Sequence, residues 1–155
     1  MRYFDVVKAI QSACEEHPFI QSYGYGYISN IETPMISGDR RYPYVFVNPT
    51  SHQLTQGKLN YRFNMIVMDL AGEDYQDSKV QIHSEDLVLK AQSDCLLYIN
   101  DILANLRFGD VLTDVVLNVA VTPFEERFDD TVAGMTATID IVVPNLLDKC
   151  DSPIQ

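Results

Sequence analysis

The residues that could do chemistry are few and scattered. His17, His52 and His83 stand far apart, and none sits in an H-x-H or H-E-x-x-H spacing that would put two imidazoles on one metal. Cys14, Cys95 and Cys150 are odd in number and form no C-x-x-C pair, so neither a disulfide framework nor a zinc knuckle is expected. Cys14 and Cys95 read as small apolar fillers on helix faces, and Cys150, between Asp148 and Asp151, is disfavoured as a thiolate. The acidic clusters Glu73, Asp74, Asp77 and Glu125, Glu126, Asp129, Asp130 lack the spacing of an EF-hand loop and read as solvated turns. Arg40-Arg41, beside Asp39, suits surface salt bridges better than a phosphate clamp. There is no G-x-S-x-G elbow and no G-x-x-x-x-G-K-[ST] loop. The expectation is therefore a chain that is not an enzyme, with no catalytic residue, no cofactor and no metal ligand.

One stretch imitates a nucleotide loop. Ser22 to Asn30 reads SYGYGYISN, and its G-Y-G start resembles a dinucleotide fingerprint. That fingerprint must open a helix, whereas Tyr27, Ile28 and Ile31 continue a β-like pattern. At period two, Tyr23, Tyr25 and Tyr27 share one face and Gly24, Gly26 and Ile28 the other. Base stacking on the tyrosines would want interleaved Lys or Arg, and none occurs from Glu15 to Gly38. The tyrosine face is expected to meet another element or subunit, and the glycine face to lie under a helix.

The elements that position these residues follow from periodicity. Tyr3, Val6, Val7, Ile10, Ala13 and Cys14 make the apolar stripe of a helix that Pro18 ends. Three β-like stretches follow, Phe19 to Ile31, Tyr42 to Val47 and Lys58 to Leu70. The second is an unbroken apolar run, as in a strand covered on both faces. The third alternates from a half-polar start into an apolar end, like a strand entering the core from solvent. Ala71 to His83 reads as a polar loop. Ser84 is placed to cap a long helix whose face is Val88, Ala91, Cys95, Ile99, Ile102 and Leu106, with Gly109 as its stop. Val111 to Thr122 and Val132 to Val143 alternate as half-buried antiparallel strands joined by an acidic turn, Pro123 to Thr131. The expected fold is α+β, in the order α-β-β-β-α-β-β: a largely antiparallel sheet with long hairpin strands, packed on one face by two helices. Residues 1–145 form one domain and 146–155 a coil tail. Strands near 12 residues are about twice the usual length, so their ends should project as arms; either strong twist or a β-bulge shortens the covered length, or subunits meet through the projecting sheet edges.

Charge narrows the partners. The chain of 155 residues carries 22 acidic and 11 basic side chains, a formal charge of −11, which repels nucleic-acid phosphates across the domain as a whole. Apolar runs such as Leu96 to Ile99 fall far short of the ~20 residues of a membrane span. The start of the chain, with Asp5, Lys8, Glu15 and Glu16, cannot serve as the apolar core of a signal peptide, so synthesis in a cytoplasm is expected.

The leading helix, the pair R-Y-P-Y-V-F-V and K-L-N-Y-R-F-N-M-I-V-M-D-L, the long helix and the closing T-A-T-I-D-I-V-V-P-N-L-L-D-K-C-D-S-P-I resemble the tail-terminator or tail-completion (head-tail connector) structural proteins of tailed bacteriophages. The resemblance lies in element order, since that family has no short signature. It implies a homo-oligomeric ring, commonly a homohexamer, at the tail or neck of a virion. Such a ring caps the tail tube, touches other virion proteins and lets DNA pass a negative lumen without specific binding. Assembly would run through sheet edges, with Thr50 to Gly57 and Pro123 to Thr131 as contact loops. The alternative is a small acidic module that binds another protein through an exposed sheet edge.

Overall fold

The computed structural model describes residues 3–27, 41–71, 84–108, 116–127 and 131–145. Its elements are α1 (Tyr3–Glu16), β1 (Ser22–Tyr25), β2 (Tyr44–Thr55), β3 (Gly57–Leu70), α2 (Ser84–Phe108), β4 (Val116–Arg127) and β5 (Thr131–Asn145). The order and the α+β class agree with the sequence reading. The expected loop 72–83, the helix stop Gly109 and the tail 146–155 lie outside the described residues.

The five strands form one sheet in the order β1-β2-β3-β5-β4. β1 runs parallel to β2, and the other neighbours pair antiparallel. β3 and β5 pair along their whole length, from Gly57 opposite Asn145 to Leu70 opposite Val132. Both helices pack on one face. Val6, Ile10 and Cys14 of α1 and Cys95, Ile99 and Ile102 of α2 enclose Val45, Val47, Phe63, Met65, Val67, Ile139 and Ile141. Each such aliphatic or aromatic side chain stabilises the fold by about 1.5–3 kcal/mol when withdrawn from water. The opposite face divides in two. Toward β1 it holds a second apolar cluster, Tyr44, Phe46, Ile66, Met68 and Val132. Further along it turns polar, with Arg62 opposite Asp140 and Asn64 opposite Thr138.

Three expectations are corrected. Of the Phe19 to Ile31 stretch, the described residues Phe19 to Tyr27 hold a strand of four, because the chain turns at Gly26, whose φ is +146°; Ile28 to Ile31 lie outside the described residues. Its N–H closes the parallel ladder on the Val47 carbonyl at 3.1 Å. Thr50 to Gly57 is not a loop. β2 runs to Thr55, and only Gln56 and Gly57 turn the chain, with Gly57 at φ +92° and open space where a side chain would stand. Most of the turn expected from Pro123 to Thr131 is likewise strand. Pro123 to Arg127 pair with Met135 to Thr131, which an edge strand tolerates because proline needs no outward donor there.

The tyrosine face meets another element, as expected, but the glycine face does not lie under a helix, which is a further correction. Tyr23 packs into the helix-side core, and the Tyr25 and Tyr3 hydroxyls are hydrogen-bonded at 2.5 Å, tying β1 to α1. Gly24 instead faces the Tyr44 and Phe46 rings, where an added Cβ would overlap the Tyr44 hydroxyl. The alternation is right, but the tyrosine side lies under the helix.

Candidate assembly surface

The histidines and cysteines among the described residues are held by the fold. His17, at the end of α1, accepts the Phe19 N–H at Nδ1 (3.2 Å) and donates from Nε2 to Asp101 of α2 (2.9 Å). Both ring nitrogens are occupied, so this His–Asp pair fastens the two helices and leaves no nitrogen for a substrate. Burial pushes the Cys14 and Cys95 thiols up to about 12, far from the range of a reactive thiolate. His52 lies on β2, away from His17, and no group of three metal-ligating side chains gathers among the described residues. Arg41 is exposed, and its carbonyl accepts the Ser22 hydroxyl. Glu125 stands exposed on β4. His83, Cys150, Arg40, the Glu73 to Asp77 cluster, Asp129 and Asp130 lie outside the described residues. No helix among the described residues is long and apolar enough to cross a membrane.

The distinctive feature is the pair of sheet edges. β1 covers β2 only from Tyr44 to Val47, so among the described residues no strand lies against the outer edge of Asn48–Thr55. On the far side, the outer edge of β4 is also unpaired among the described residues. These two stretches read NPTSHQLT and, from Val116 to Thr122, VLNVAVT. Neither contains an Asp, Glu, Lys or Arg, in a chain with 33 charged residues. Exposed edges are ordinarily blunted by charge, above all lysine. Val116–Thr122 has neither charge nor proline, and its register with β5 shows no bulge.

The edge of β2 is shaped rather than charged. Between Pro49 and His52 the register shifts, so that Thr50 and Ser51 stand opposite Arg62 alone. This β-bulge costs Arg62 its ladder partners. Two side chains replace them: the Thr50 hydroxyl donates to the Arg62 carbonyl at 3.1 Å, and His52 Nδ1 accepts the Arg62 N–H at 3.2 Å. The Arg62 side chain forms two bonds to Asp140 across the sheet, at 2.6 and 3.3 Å. The bulge also exchanges the faces of β2. Before it Val45 and Val47 point to the helices, and beyond it His52 does, its ring 5.0 Å from Tyr3 and 5.7 Å from Phe63. The N-terminus of α1 is thereby anchored to the arm through an aromatic cluster, and Leu54 beyond it is 70% exposed.

Sequence reasoning expected loops at Thr50 to Gly57 and Pro123 to Thr131, and the structure has strand over most of both. The missed signal was the run of uncharged residues at what prove to be edges. No protein-family model matches the chain, and no curated protein matches it in sequence.

Proposed function

We propose that the protein is a structural subunit that assembles through its sheet edges into a closed homo-oligomeric ring, of the tail-terminator or head-tail connector kind in a bacteriophage virion. The observation that carries this reading is that each of two open edges carries an uncharged stretch, Asn48–Thr55 on β2 and Val116–Thr122 on β4. β2 and β5 run in one direction and β4 in the other, so β4 of one copy meets Asn48–Thr55 of the next as an antiparallel pair. Joining unlike edges is a head-to-tail contact, which closes into a ring when the rotation permits. The formal charge of −11 suits a lumen that passes DNA without holding it. The resemblance in element order supplies the virion setting.

Electron microscopy of the purified full chain, with mass spectrometry of phage particles, tests the reading. Closed rings with a central opening, and the protein present in the virion, are expected. Monomeric particles, or absence from virions, would sink it.

A further inference from the structure

The outward face of α2 carries a second apolar stripe that is exposed among the described residues. Leu89, Leu96, Leu97 and Phe108 are 63, 44, 58 and 84% exposed, while the opposite side of the helix fills the core. At roughly 100° per residue they share an arc of about 120° with Ser93, Asn100 and Ala104. We propose that this stripe pairs with the same stripe of a second copy, helix antiparallel to helix, about a two-fold axis between Leu96 and Leu97.

The pattern is self-complementary, as a two-fold contact requires. Leu96 faces Leu97 of the second copy, Ser93 faces Asn100 and Leu89 faces Ala104, so small side chains stand where the helices must approach. Charge selects the antiparallel arrangement. Lys90 comes beside Asp101 of the second copy, and Asp86 beside Arg107, and all four are exposed. A parallel pairing would set each of these residues against its own kind, which costs rather than stabilises. The contact uses a different face from the sheet edges and goes beyond the proposed ring.

Sedimentation of the full chain across a range of concentrations tests the pairing, with Ala120→Lys as the background that silences the β4 edge. A monomer–dimer equilibrium is expected there. Leu96→Glu with Leu97→Glu should abolish it and leave the melting temperature unchanged at concentrations where the background is monomeric, since both side chains are exposed. Asp86→Arg or Arg107→Asp alone should weaken it about tenfold or more, and the two together should restore it. The double reversal opposes the helix dipole at both ends, so recovery can come only from pairing across the axis. Circular dichroism confirms folding, and Asn118→Lys replaces Ala120→Lys if the latter does not fold. A background that is monomeric throughout, a dimer that survives both glutamates, or a double reversal no better than the singles overturns the proposal. Failure of the ring reads differently: the mass then does not respond to Ala120→Lys.

Discussion

His52 Nδ1 lies 3.2 Å from the Arg62 backbone nitrogen and accepts its N–H. An imidazole can do this only while Nδ1 is unprotonated, and burial lowers the His52 pKa from its ordinary 6.5. The folded chain therefore favours neutral His52, so its contribution to stability is full above pH 6.5 and is lost as the pH falls through the lowered value.

His52→Asn keeps an acceptor near the Nδ1 position and removes the titration. Unfolding midpoints in denaturant should match wild type at neutral pH and fall less than wild type below pH 6.5. His52→Phe keeps the ring contacts but not the acceptor, and should cost about 0.5–1 kcal/mol at neutral pH. Equal acid sensitivity in wild type and His52→Asn would contradict the account of the bulge.

Asp69 makes the opposite prediction. Burial chiefly raises its pKa from 3.8, with Asp94 adding to the rise, while the Leu70 N–H bond and Lys90 oppose it. A carboxyl whose folded pKa is raised contributes stability at low pH that is lost as the pH rises through the folded value. Asp69→Asn can keep the 2.8 Å bond from Leu70. It should raise the melting temperature at pH 7 and change little in acid, as calorimetry at the two pH values can check.

Gly134 and Gly24 test two kinds of close approach. A Cβ at Gly134 would overlap the Val67 carbonyl oxygen and stand 3.0 Å from the Met68 Cα, both backbone atoms of β3. Gly134→Ala should cost about 3 kcal/mol or more, because the sheet itself must move. At Gly24 the obstacle is the Tyr44 ring, a side chain that can shift, so Gly24→Ala should cost about 1 kcal/mol and Gly24→Val more. Chemical denaturation ranks them, and the reverse order would show the packing to be misplaced.

The helices and the central strands were legible in the sequence because their faces repeat without interruption, as in Val6, Ile10, Ala13 or in Phe63, Met65, Val67. β2 beyond Val47 was not, because the bulge at Thr50 and Ser51 breaks the period of two and moves His52 to the face that Val47 occupied. Alternation also tells which residues share a face without telling which way the face turns. Tyr23 and Gly24 were therefore assigned correctly to opposite faces, while the helix was expected over Gly24 and lies over Tyr23. The continuation of β4 was hidden by Pro123, which reads as a breaker until the strand is known to be an edge. The candidate surface was still less visible, since an uncharged segment marks an assembly edge only once its place in the sheet is known.

Ala120 pairs with Thr138 and is exposed on β4, so lysine there leaves the β4–β5 ladder intact while guarding the edge. Native mass measurement of wild type and Ala120→Lys at the same concentration tests assembly through the β4 edge. A closed oligomer is expected for the wild type, and its collapse to a smaller species, with unchanged circular dichroism, for the variant. A wild type that is monomeric, or an oligomer indifferent to the lysine, would contradict assembly through that edge.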